Sequence, residues 1–257
     1  MAFPREVRGL VYDFVVRDCP QTIHIADSRT QAPVLGGSSN VPLVTFLPSF
    51  AYVSQGIFSE LVPAFIRRVN LEIASAPDIW YLESFLEALP SADGWGKITN
   101  LSLVNLSFIS SSPARAAETM DMIIRAVNLN TLVIGLSLGD LYLPPDWSAP
   151  PTSADEANEL MDYPPRKATA QFLIRECKLD ALYNMSKLTR VIIKIEHGWF
   201  HSTPASTTIL NELAEQLNAG FEATSGVNTE TSLQWLNICD PNMSIILLGI
   251  KRLALKE

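Results

Sequence analysis

Leu129-Asn130-Thr131-Leu132-Val133-Ile134-Gly135-Leu136-Ser137-Leu138 carries the spacing that decides the fold, with apolar residues at positions 129, 132 and 134. The same apolar-x-x-apolar-x-apolar pattern recurs upstream at Ile98, Leu101 and Leu103. It recurs downstream at Leu188, Val191 and Ile193, and again at Leu233, Leu236 and Ile238. Each copy follows a helical stretch or a polar loop. One strand per unit, lined up with the next, is how a solenoid-like sheet is built. The copies are unevenly spaced, whereas standard leucine-rich units are shorter and even. Two readings stand at this point: an irregular solenoid, or an ordinary α/β fold whose buried strands share an apolar spacing.

Helical periodicity fills the intervals. Ile57, Phe58, Leu61, Val62, Phe65 and Ile66 mark one helix face, with Pro63 expected to kink it. Residues 69–73 alternate as a strand, and residues 78–89 predict a helix burying Leu82, Phe85, Leu86 and Leu89. Ser112 is the expected cap of a helix opened by Pro113, with Ala116, Met120, Ile123, Ile124 and Val127 buried. Residues 166–183 predict another, with Ala170, Leu173, Ile174, Cys177 and Ala181 on one side. Ile209, Leu210, Leu213, Ala214 and Leu217 belong to a helix expected to end at Gly220. At the start, Val7, Leu10, Val11, Phe14 and Val15 give residues 4–16 a helical stripe, and Thr22 to Ile25 reads as a strand. Helix alternating with strand is the α/β class.

Composition sets the outer limits. The chain has 257 residues, 47% of them hydrophobic and 18% charged, which is a globular balance. Its net charge of -8 argues against nucleic acid, whose phosphates need clustered Lys and Arg. No apolar run approaches the ~20 residues of a membrane helix, and the N-terminus lacks a secretory pattern, so the expected setting is intracellular, cytoplasm or nucleus, without a membrane partner. Cys19, Cys177 and Cys239 offer neither zinc spacing nor a paired disulfide framework. The expected division is an N-terminal segment, 1–50, and an α/β repeat-like domain, 51–257. Within the second, residues 139–165 hold six prolines and six acidic residues but no Lys or Arg, the composition of a long surface loop.

Candidate chemistry is sparse. Gly135-Leu136-Ser137-Leu138-Gly139 matches the G-x-S-x-G nucleophile elbow, which needs a helix directly after the serine. Pro144 and Pro145 oppose such a helix. His197 and His201 are four apart, but in a strand-end region with no third ligand, so a metal site is not expected. Glycine-rich phosphate loops are missing from the sequence, and no cofactor is expected.

Phe3-Pro4-Arg5-Glu6-Val7-Arg8-Gly9-Leu10-Val11-Tyr12 resembles the opening helix of F-box-like proteins common in fungi, whose usual start is Leu-Pro-x-Glu-Ile/Val-Arg-x-x-Ile/Val-Tyr/Trp. Phe3 replaces the leucine, while Pro4, Glu6, Val7, Arg8, Val11 and Tyr12 match. Residues 54–68, with Glu60, Pro63 and Phe65, are similar to the helix that commonly follows, E-x-x-P-x-F. The resemblance implies that the first helices grip the adaptor of a cullin-based ubiquitin ligase and that the remaining domain holds a substrate protein. Pro4, Glu6, Val7, Arg8, Val11 and Tyr12 are the partner-binding residues it implies. A full F-box continues into two more helices, whereas this chain passes through Pro20 into β-like sequence. The same residues would otherwise pack a terminal helix against the sheet.

The expectation is therefore an α/β chain, an irregular leucine-rich-repeat-like solenoid of alternating helices and strands behind a short N-terminal F-box-like helix. Its expected role is a non-enzymatic protein-recognition module, the substrate receptor of a cullin-type ubiquitin ligase. The alternatives are a serine hydrolase using Ser137, or a scaffold with no ligase connection that binds through residues 139–165.

Overall fold

Strand and helix alternate as the sequence predicts. The computed structural model describes residues 4–25, 46–89, 94–104, 113–137, 141–143, 166–197, 204–224, 229–237 and 246–248. The main sheet contains β1 (Thr22–Ile25), β2 (Asn70–Ile73), β3 (Asn100–Leu103), β4 (Thr131–Ser137), β7 (Arg190–His197), β8 (Glu230–Asn237) and β9 (Ile246–Leu248), in that spatial order. The first six are parallel, and β9 runs antiparallel to β8. A separate two-stranded ladder joins β5 (Tyr142–Leu143) to β6 (Arg166–Lys167). Among the described residues six α-helices frame these strands: α1 (Arg5–Arg17), α2 (Gln55–Arg68), α3 (Ala76–Glu87), α4 (Pro113–Arg125), α5 (Ala170–Glu176) and α6 (Pro204–Thr224).

Within the main sheet, spatial order follows chain order without a reversal. With right-handed crossovers, that order keeps successive helices on one face. The burial agrees. Ile23, Leu71, Leu101, Leu132, Val191 and Thr231 form one in-register row, and Ile25, Ile73, Leu103, Ile134, Ile193 and Leu233 the next on the same face. All twelve are buried, and their apolar members join the inward residues of α2 to α6 in one core. Val133 and Ile192, on the intervening row, are buried outside that core. The opposite face begins with Thr22, Asn70, Asn100, Thr131, Arg190 and Glu230 in register, all half-buried or exposed.

This register corrects the fourth copy of the repeat. Ile98, Leu129 and Leu188 are each buried three residues before the first apolar strand position. On β8 the matching strand positions are Thr231 and Leu233, not Leu236 and Ile238. The displacement is odd, and an odd shift along a strand exchanges its faces. Apolar spacing alone could not see this, because Thr231 occupies a core position with its hydroxyl buried and without a hydrogen-bond partner.

Helix ends differ where local chemistry overrides periodicity. The stretch predicted as one helix over 166–183 is broken into β6, α5 and a 3-10 segment, Leu179–Asn184. Thr169 caps α5 by accepting from the Phe172 N–H, and Lys178 adopts a left-handed φ of 55° that ends the turn. α4 stops at Arg125, leaving Val127 in the following turn and exposed, not on the buried face. α6 runs through Gly220 to Thr224. Gly220 is therefore not a C-cap. A Cβ there would enter the ring of Tyr183, so glycine serves the close approach of that ring. At Gly135 a Cβ would collide with the Val104 carbonyl, which places the backbone after β3 directly against β4. The expected cap Ser112 lies outside the described residues, as does all of 139–165 except residues 141–143.

Candidate functional site

α1 is the element on which the resemblance rests, and its two sides differ in chemistry. Pro4 stands at its N-cap, where a missing N–H costs nothing, with Glu6 in the first turn and Arg17 in the last, both matched to the helix dipole. The inner side is tied to α2 by polar contacts. Arg8 donates to both carboxylate oxygens of Glu60, Nε to Oε2 at 2.8 Å and Nη2 to Oε1 at 2.6 Å. Arg68 Nε lies 3.3 Å from Asp13 Oδ1. Hydrogen bonding to Glu60 raises the Arg8 pKa; the Tyr12 phenol is raised first by lost solvation and then by its hydrogen bond to Glu60. Val16 completes this side, only 1% exposed.

The outer side is apolar. Val7, Leu10, Val11 and Phe14 are 40%, 70%, 50% and 64% exposed, at the i, i+3, i+4, i+7 spacing of one stripe. Among the six residues implied by the resemblance, Val7 and Val11 lie on this stripe, and Pro4 and Glu6 are exposed beside its start. Arg8 and Tyr12 turn to α2. Leu10 and Phe14 extend the stripe; the helical period identified them as stripe residues, while the family motif leaves both positions unspecified. A cleft of about 360 Å³ runs between the two helices, bounded by Gly9, Tyr12, Asp13, Pro63, Arg67 and Lys97.

A second surface is the β1 edge of the sheet, on the face turned away from the core. Across β1 and β2, His24 Nδ1 lies 2.6 Å from Glu72 Oε1. Asn70 and Ser102 are joined by a side-chain hydrogen bond at 2.9 Å, Nδ2 to Oγ, between adjacent strands. These contacts fix neighbouring strands to one another and leave Thr22 and His24 exposed at the edge.

Of the residues singled out for chemistry, Ser137 and His197 end the adjacent parallel strands β4 and β7, where Ser137 stands in register with Glu196. Residues 138–140, which follow Ser137 directly and include Gly139, lie outside the described residues, and residues 142–143 beyond them form a strand. His197 closes β7, and His201 lies outside the described residues. Among the described residues no group of three or more His, Cys, Asp or Glu is placed to hold a metal ion. Cys177 is buried, and Cys19 is half-buried with its thiol pKa raised chiefly by lost solvation. No helix among the described residues is long and apolar enough to cross a membrane. Comparison with protein-family models, curated proteins and solved structures gave no match.

Proposed function

We propose that this chain is a non-enzymatic protein-recognition module, built as an irregular leucine-rich-repeat-like solenoid behind an F-box-like helix, and that it acts as the substrate receptor of a cullin-type ubiquitin ligase. The observation that carries the reading is the outer stripe of α1. An amphipathic surface helix normally turns such a stripe into its own core. Here α2 takes the charged and phenolic side instead, and four large apolar side chains face solvent. A contiguous apolar patch on a folded surface marks an interaction site. The sequential parallel sheet supports the repeat-like part of the proposal, since stacked units grow strand by strand in one direction.

In this reading α1 meets the ligase adaptor, and the substrate protein binds elsewhere on the α/β unit. The test is a binding measurement between the purified chain and the purified adaptor, run beside Val7→Asp/Val11→Asp. Binding by the wild type that disappears in a variant with unchanged circular dichroism supports the assignment. A folded wild type that does not bind the adaptor overturns it.

A further inference from the structure

We draw no further inference here: the strongest candidate, the outward apolar stripe of α1 at Val7, Leu10, Val11 and Phe14, belongs to the surface already described, and nothing in the structure shows what else covers it.

Discussion

Replacing Leu10 by Gln tests whether the α1 stripe faces outward. Leu10 is 70% exposed, so folding removes under a third of its surface from water. Complete burial of a leucine contributes roughly 1.5–3 kcal/mol, which makes the expected cost of Leu10→Gln about 0.5–1 kcal/mol. Gln and Leu have similar helix propensities, so the backbone term is small. Leu82 on α3 supplies the contrast, being 0% exposed. Truncating a core leucine to alanine costs about 2–5 kcal/mol through lost transfer energy and a residual cavity. In a chain of this size each kcal/mol moves Tm by roughly 2–4 °C. Thermal melts followed by far-UV circular dichroism should therefore place Leu10→Gln within a few degrees of wild type and Leu82→Ala clearly lower. If Leu10→Gln falls as far as Leu82→Ala, the stripe is buried in the folded chain. The adaptor proposal then loses the surface on which it stands.

Three further outcomes are expected. Gly220→Ala should cost about 1–3 kcal/mol in urea titrations, because its Cβ enters the Tyr183 ring. In a Tyr183→Ala background the same change should be neutral or stabilising, as an alanine within a helix outranks glycine by about 0.5–1 kcal/mol; a cost unchanged by that background would refute the contact. The Tyr183 phenol has a raised pKa, first by lost solvation and then by the nearby Asp180 charge. The folded state then holds that proton more tightly, so its contribution is complete below the unfolded pKa near 10 and is lost as pH rises through the folded value. Stability should fall more steeply above pH 10 in the wild type than in Tyr183→Phe, and equal slopes would contradict the assignment. Finally, a fluorophosphonate probe should leave the chain unlabelled; labelling that disappears in Ser137→Ala would replace the recognition proposal with serine chemistry.

The α/β class was legible because helical and strand periodicities alternate cleanly between residues 54 and 137. Three copies of the spacing, at Ile98, Leu129 and Leu188, occupy equivalent places in the sheet. The fourth copy was misaligned because its core position is a threonine, and apolar spacing is blind to a buried hydroxyl. Gly220 misled for a related reason: glycine after an apolar run signals a helix end, but it also admits a neighbouring ring. That need comes from Tyr183, 37 residues earlier, and no local window contains it. For the candidate site, the stripe of α1 could be read from its period. Which side would meet α2 could not, because that depends on Glu60 reaching Arg8 and Tyr12 across the helix pair.

The contrast between α1 and α2 gives the proposal its physical content. Both helices carry apolar residues at i, i+3, i+4 and i+7, yet Phe58, Leu61, Val62 and Phe65 are fully buried while Val7, Leu10, Val11 and Phe14 are exposed. Position in the sheet accounts for part of the difference. Among the described residues β1 is an edge strand, paired with β2 alone. Stacked repeats usually answer this with a terminal unit whose outer face is polar, which keeps the end of the stack soluble. If the chain is such a stack, as proposed, α1 departs from that rule. Its polar residues Arg8 and Asp13 are used against Glu60 and Arg68 on α2, and its apolar residues take the place where a cap would be charged. Substituting polar residues on the stripe should then improve solubility while removing adaptor binding, and a variant that gains the first without losing the second would leave α1 as an imperfect cap.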